Sequence, residues 1–181
     1  MVPMNPIVEQ RNMLARINQM FTDLKKINFN EVDNLSSASS CLRDMRIAHY
    51  EDINQLQHAI MILDAWEFLK KSNKYESFEI LQWFWNPHQT GGGEEPDLRG
   101  MLNGVTVISA EITTSESPVG TIDVRMSSTL KKLNKMEGKY LYYFVRTDKM
   151  RKRALTKLSK FEKTSIKVVN LLDGNAENQI E

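Results

Sequence analysis

Three acidic residues occupy positions where the sequence pattern calls for apolar side chains. Asp97 follows Pro96 after a glycine-rich run, Glu111 lies near the end of an apolar strand, and Glu67 falls one helical turn beyond Leu63 on an apolar stripe. A carboxylate among apolar neighbours must be paired, hydrated or bound to a metal. Two simpler explanations remain open: Glu111 is an ion-paired residue at a strand end, and the stripe that carries Glu67 emerges into solvent.

Three carboxylates that converge from neighbouring elements would form a site of hard oxygen ligands. Such a site suits Mg²⁺ or Mn²⁺, which can hold a scissile phosphate and lower the pKa of an attacking water. A strict two-residue turn at Asn103-Gly104 would, however, place Asp97 and Glu111 on opposite faces of the hairpin. We therefore predict a β-bulge or similar irregularity, supplied by Gly100 or Gly104, if the two acids act together.

Apolar periodicity predicts the elements that would position these acids. Helices are predicted at 6–28, 40–48, 51–72, 120–136 and 149–163, and strands at 77–87, 96–102, 105–114, 139–147 and 165–172; residues 28–40 are predicted to be a polar connection. The order is helices followed by β-β-β-α-β-α-β. This order predicts an α/β fold with a mixed central sheet flanked by helices.

Composition excludes several other classes of protein. The one cysteine, Cys41, rules out an internal disulfide and a thiolate-rich zinc site. No apolar run reaches the ~20 residues needed to span a bilayer, so no membrane contact is expected. The first residues lack the pattern of a secretory signal, and a cytoplasmic location is expected.

Charge is distributed unevenly along the chain. Residues 125–167 hold 14 lysines and arginines against three acids, whereas residues 1–124 carry a net charge of −7. Such a basic segment suggests a polyanionic partner, although a solvated helical face would show the same pattern. The predicted helix 149–163 is the best candidate for contact with a nucleic-acid backbone, through cations along one side: Lys149, Arg153, Lys157 and Lys160.

The quoted residues resemble the PD-(D/E)xK nuclease superfamily, which includes the restriction endonucleases. Pro96-Asp97 matches the first half-motif, and Glu111-Ile112-Thr113 matches the second, with 13 residues between the two acids. The resemblance implies a restriction-endonuclease-like αβββαβαβ core over residues 49–172. Residues 1–48 would then be an N-terminal helical extension and 173–181 a frayed tail. It also implies that Asp97 and Glu111 bind the metal ion, with Glu67 as an additional ligand.

Thr113 departs from the family pattern, because it stands where the motif lysine belongs. The resemblance implies three explanations: a cation on the following helix replaces the lysine, the chain is of the cap-snatching type, or activity is lost. Arg125, Lys131 and Lys132 are the candidate replacements. We expect Asp97, Glu111, Thr113, Arg125 and Lys131 to carry catalysis.

The cap-snatching endonucleases of segmented negative-strand RNA viruses also show Glu-x-Thr, with a lysine on the next helix and a histidine on an early helix. His49 could match that histidine. Arg125 could not act as a base, because arginine keeps its proton. We expect His58 to face solvent, and we expect His88 to lie in the loop that leads to the site.

The function that the resemblance implies is a Mg²⁺- or Mn²⁺-dependent endonuclease. DNA is favoured over RNA because most members of the superfamily act on DNA. The alternatives are an RNA endonuclease of the cap-snatching type and a non-catalytic nucleic-acid-binding or interaction domain. A homodimer is a further expectation, since restriction enzymes of this fold usually dimerise; Trp83 and Trp85 belong either to such an interface or to the core.

Overall fold

The computed structural model describes residues 1–26, 32–72, 78–87 and 94–172. Within them the chain is an α/β protein whose six-stranded mixed sheet is flanked by four helices. The strands are β1 (Val2–Pro3), β2 (Gln82–Trp85), β3 (Leu98–Leu102), β4 (Val105–Thr113), β5 (Tyr140–Val145) and β6 (Ile166–Asn170). The helices are α1 (Pro6–Lys25), α2 (Leu35–Lys71), α3 (Thr121–Leu133) and α4 (Asp148–Leu158), and a short 3-10 helix covers Phe78–Ile80. From α2 onward the order is the α-β-β-β-α-β-α-β that the sequence predicts.

The strands lie in the sheet in chain order, β1 to β6. Neighbours from β1 to β4 are antiparallel, whereas β4, β5 and β6 are parallel because α3 and α4 connect them as crossovers. The turn between β3 and β4 is the predicted Asn-Gly turn. Asn103 and Gly104 both have positive φ angles, 51° and 80°, as a tight type I′ hairpin turn requires.

The predicted irregularity in this hairpin is present. The register shifts between Gly100 and Met101: Met101 pairs with Thr106, but Gly100 pairs with Ile108, so Val107 has no counterpart on β3. Gly100 is also closely packed, because a Cβ atom there would lie 3.1 Å from the Trp83 ring and would require a small shift of that ring. Because of the bulge, the start of β3 pairs with β4 one residue further along than it would in a regular hairpin.

Two apolar clusters cover the two faces of the sheet. The first joins α1, α2 and the 3-10 helix to one face, and it contains Met4, Met13, Ile62, Leu69, Trp83, Trp85, Ile108, Ala110, Tyr142 and Phe144 among others. The second joins α3 and α4 to the other face, and it contains Met126, Leu130, Leu133, Leu141, Tyr143, Val145, Met150 and Ala154 among others. Trp83 and Trp85 therefore belong to the core.

Helix α2 is longer than predicted. Asn34 caps it, because its side chain accepts hydrogen bonds from the backbone N–H groups of Ser36 and Ser37, and the helix then runs unbroken to Lys71. The prediction of a polar connection up to residue 40 was wrong from residue 35 onward, because the cap overrides the polar composition. The proposed boundary between residues 48 and 49 falls inside this helix.

Some predictions concern parts of the chain outside the described residues. These are His88, the glycine run 91–93 and the frayed tail 173–181. None of the described helices is long and apolar enough to cross a membrane.

Candidate active site

Asp97 and Glu111 meet at the end of the β3–β4 hairpin. Leu98 pairs with Ala110, so the bulged register brings Asp97 opposite Glu111 on the same face of the sheet. Asp97 is held there because its Oδ2 accepts a hydrogen bond of 2.7 Å from the backbone N–H of Ile112. Glu111 is buried, with 5% of its surface exposed. The convergence that the sequence required of these two acids is therefore present.

His58 of α2 joins the pair of acids. Its Nε2 lies 3.4 Å from Asp97 Oδ2, and the residue is only 1% exposed. Its other ring nitrogen, Nδ1, is buried and has no hydrogen-bond partner among the described residues. The expectation that His58 faces solvent was wrong.

His58 belongs to a stripe of α2 other than the one predicted to face the core. This residue shares a narrow stripe with Ile62, Ala65 and Leu69, all of which are buried against the sheet. The sequence shows a second stripe as well, through Leu56 and Leu63, and α1 packs on that side of α2, where Arg16 pairs with Asp52. Because α2 is buried on two sides, its apolar pattern did not identify the side that faces the sheet.

Lys132 of α3 approaches Glu111 from the face of the sheet opposite to α2. Its Nζ lies 2.7 Å from Glu111 Oε1 and also donates to the backbone carbonyl of Glu95 at 3.3 Å. Of the three cations proposed to replace the motif lysine, Lys132 is the one that contacts Glu111. Arg125 and Lys131, the two expected to be catalytic, have exposed side chains on the same helix.

Glu67 does not join the site in this structure. It is exposed and forms an ion pair with Lys71 at 3.0 Å, which agrees with the alternative that its stripe emerges into solvent beyond Leu63. Nine residues separate it from His58, which is about two and a half turns and about 13 Å along the helix. Glu67 therefore points away from the side of α2 that carries His58.

His49, the residue suggested for the histidine position, also lies elsewhere. It is half-buried in the first half of α2. It is His58, nine residues later on α2, that contacts Asp97.

Thr113 is bound to a neighbouring strand. Its hydroxyl lies 2.8 Å from the hydroxyl of Tyr143, a fully buried residue of β5. Burial raises the pKa of Tyr143 to about 12, the charges of Glu111 and Asp97 act in the same direction, and the bond to Thr113 opposes them. The tyrosine therefore keeps its proton over the physiological range.

The two acids strongly influence one another. Burial raises the pKa of Glu111 to about 8, and the charge of Asp97 adds to this, while Lys132 acts in the opposite direction. The ammonium group of Lys132 therefore offsets only part of the effect of burial and of the neighbouring carboxylate on Glu111. Glu111 is thus ion-paired near the end of β4, as the simpler explanation requires, and it also lies beside a second carboxylate.

The cations of α4 are only partly available to a ligand. Arg153 binds both carboxylate oxygens of Asp123 on α3, at 2.7 and 2.9 Å, and Lys157 binds Asp123 and Ser127. These hydrogen bonds, that of Arg153 first, hold the pKa of Asp123 well below its usual range. Of the four cations predicted to contact a nucleic-acid backbone, Arg153 and Lys157 thus connect α4 to α3. Lys149 and Lys160 are exposed.

Among the described residues, no three His, Cys, Asp or Glu side chains are already arranged as a metal shell. The donors that do converge are the carboxylates of Asp97 and Glu111 and the imidazole of His58. No family model, no curated protein and no solved structure matches this chain. The chemistry of these side chains is therefore the guide to function.

Proposed function

We propose that this protein is a metal-dependent endonuclease that hydrolyses phosphodiester bonds in nucleic acid. The observation that carries the proposal is the convergence of His58, Asp97, Glu111 and Lys132 from four elements on one end of the sheet. The restriction-endonuclease-like arrangement of the core is part of the same proposal. It is supported by the order of elements from α2 onward and by the bulge that aligns the two acids.

The residues present fit a divalent cation. Burial, followed by the charge of Asp97, raises the pKa of Glu111 even though the ammonium group of Lys132 contacts it, so further positive charge would favour the ionised form. A divalent cation would supply that charge and allow both acids to ionise. Two carboxylates and one imidazole nitrogen suit Mn²⁺ better than Mg²⁺, since Mg²⁺ prefers oxygen ligands alone.

Each side chain has a distinct role in the proposed reaction. Asp97, Glu111 and His58 would hold the metal ion, which polarises a phosphate and acidifies a water when bound. The ammonium group of Lys132, beside Glu111, can orient the attacking water or stabilise the charge that develops on the phosphate. Thr113 has no base beside it and is bound to Tyr143, so we assign it to positioning the end of β4.

An RNA endonuclease is the second candidate, and specific residues favour it. The resemblance to the cap-snatching endonucleases implies a histidine on an early helix, Glu-x-Thr and a lysine on the next helix. His58, Glu111 with Thr113, and Lys132 supply these features, with His58 in the place suggested for His49. The preference for DNA rested only on how common DNA enzymes are in the superfamily, so we propose that both nucleic acids be tested with RNA first.

The experiment is a cleavage assay on single- and double-stranded RNA and DNA, in Mn²⁺, in Mg²⁺ and in EDTA. We expect cleavage in Mn²⁺ that Asp97→Ala and Glu111→Ala abolish and that Lys132→Ala strongly reduces. Glu67→Ala is the control for the acids, and Arg125→Ala and Lys131→Ala are the controls for Lys132. Undiminished cleavage by the Asp97 and Glu111 variants would refute the proposal.

A second measurement separates the enzyme from a non-catalytic module of the same fold. A ligand that binds the folded state raises the melting temperature. We expect Mn²⁺ to raise it for the wild type and for Glu67→Ala, but not for Asp97→Ala or Glu111→Ala. Binding of nucleic acid without cleavage and without this metal effect would favour the interaction domain.

A further inference from the structure

The sheet face that carries Asp97 and Glu111 continues sideways onto β3 and β2. Arg99 pairs with Ser109 of β4 on one side and with Phe84 of β2 on the other. Residues directly opposite each other in antiparallel strands point to the same face, and so do residues two apart on one strand. Phe84, Arg99, Asp97 and Glu111 therefore share one surface, with Arg99 about 7 Å along the chain from Asp97.

The helices on this face leave room beside the acids. Helix α3 packs against β4 and β5, and α4 packs against β5 and β6. On the same face, β2 and β3 lie beside the strands that α3 and α4 cover. Phe84 of β2 and Arg99 of β3 are both half-buried there. An extended chain that reached the two acids from this side would pass over the Phe84–Arg99 pair.

Arg99 is suited to bind an anion there. Its Nε is buried and has no hydrogen-bond partner among the described residues. An arginine cannot give up its charge, and its planar group matches the oxygens of a phosphate. A polyanion that approaches Asp97 and Glu111 also needs a cation to offset their repulsion, and Lys132 is already in contact with Glu111.

Phe84 adds an aromatic surface at the same place. Cβ atoms of directly opposed residues lie about 5 Å apart, so a group held by Arg99 would lie beside the ring. Aromatic side chains stack on bases of any sequence, whereas backbone phosphates are held by arginine. An aromatic ring next to an arginine is therefore a site for one nucleotide of a single strand.

We infer that Phe84 and Arg99 form a binding subsite for the nucleotide next to the scissile phosphate, with Arg99 on its phosphate and Phe84 against its base. This inference rests on the proposed function, since it names how that site would hold its substrate. The two residues are binding and not catalytic residues. They act equally before and during the reaction, so they should affect KM and not kcat.

The test measures binding of a short, fluorescein-labelled single-stranded RNA by fluorescence anisotropy. Ca²⁺ replaces Mn²⁺, and the probe is checked for integrity after each titration. We expect Arg99→Gln to raise Kd about 10-fold and to lower the salt slope by about 1 between about 50 and 200 mM salt. Phe84→Leu should raise Kd about 10-fold and leave the salt slope unchanged.

Matched variants keep the result interpretable. Arg125→Gln removes the same charge from an exposed position on α3 and should alter Kd less than about twofold. Arg99→Lys keeps the charge but not the planar group, and should restore most of the salt slope with part of the affinity. Melting temperatures identify any variant that loses affinity because it unfolds. If Arg99→Gln unfolds, the affinity and salt slope of Arg99→Lys test the role of Arg99.

Cleavage data separate this inference from the proposed function. If the wild type cleaves RNA and Arg99→Gln matches Arg125→Gln in KM, Kd and salt slope, the subsite is overturned and the nuclease stands. If binding depends on Arg99 but the wild type does not cleave, Phe84 and Arg99 stand as a nucleotide-binding site and the nuclease is refuted. If the wild type binds neither RNA nor DNA, both are refuted.

Discussion

The sheet and the N-terminal helices differ in how far their apolar side chains are buried. At the sheet, the apolar residues of β4 from Ile108 onward and of β5 from Leu141 onward are all buried, and the buried polar residues of these strands are Ser109 and Glu111. In residues 1–53, large apolar side chains remain exposed: Val2, Ile7, Val8, Leu14, Phe21, Val32, Leu35, Leu42, Ile47, Tyr50 and Ile53. These are eleven of the 17 exposed large hydrophobic residues in the described part of the chain.

This difference in burial indicates which part of the molecule stabilises the fold. Burial of apolar surface is the main favourable term in folding, so α1 and the first half of α2 gain little from their exposed residues. The sheet gains much more, and this surplus supports a cluster of buried charges that would be costly elsewhere. We therefore expect the candidate site to depend on the sheet and to be insensitive to the exposed residues of the helices.

The largest contrast is expected between two phenylalanines. Phe144 of β5 is fully buried, with its ring 5.7 Å from that of Phe68, whereas Phe21 of α1 is 52% exposed. Phe144→Ala should lower the free energy of unfolding by about 3 to 5 kcal/mol. Phe21→Ala should lower it by less than about 1 kcal/mol. Urea denaturation measures both, and equal losses would contradict the comparison.

Two histidines on α2 provide the next contrast. His58→Ala should reduce cleavage in Mn²⁺ on the order of 100-fold, because it removes a nitrogen ligand from the proposed metal site. His49→Ala, toward α1, should leave the rate unchanged. Initial rates at saturating Mn²⁺ and over a Mn²⁺ titration measure this difference. A His49 effect as large as that of His58 would mean that the helical extension contributes to the chemistry.

A smaller contrast is expected between two tyrosines. Tyr143→Phe removes the buried hydrogen bond to Thr113 and should cost about 1 kcal/mol of unfolding free energy. Tyr50→Phe removes a hydroxyl from a residue that is 57% exposed and should cost nothing measurable. Thr113→Val provides a check, since the double variant with Tyr143→Phe should cost less than the two single variants together.

The smallest effect concerns the ion pairs between α3 and α4. The pKa of Asp123 lies below its unfolded value, so its contribution to stability is present above that value and is lost as pH falls through the folded pKa. Asp123→Asn should therefore flatten the decline of melting temperature on acidification below about pH 4. Asp52→Asn, in the exposed pair with Arg16, is the control and should change the decline less. An unchanged profile for Asp123→Asn would show that these pairs are too solvated to matter.

The sequence predicted the acids of the site better than its other groups. Asp97 and Glu111 could be found because strand alternation and the Asn103-Gly104 turn are local patterns, and they even required the bulge near Gly100. The choice of Lys132 over Arg125 and Lys131 depends on how α3 rotates against the sheet. That rotation is a tertiary property, which the sequence left open.

The expectation for His58 was wrong for a physical reason. Periodicity shows that a helix has an apolar stripe, but not which neighbour the stripe faces. Helix α2 packs against α1 and against the sheet, so the stripe chosen from the sequence was the one toward α1. The continuous course of α2 through residues 35–48 was missed as well, because the capping interaction of Asn34 with Ser37 is a single local signal within a polar stretch.

The bulge in the β3–β4 hairpin limits how this protein can change length. Five residues of β3, Leu98–Leu102, lie opposite six of β4, from Val105 to Ala110. Loss of Val107 would even the count, and a regular hairpin would then still place Asp97 opposite Glu111. Gain of one residue in β4, or loss of one from β3, would instead require a second unpaired residue or shift Asp97 out of register with Glu111. The hairpin is therefore expected to keep the candidate site when one residue is lost from β4 and to lose it when one is gained there.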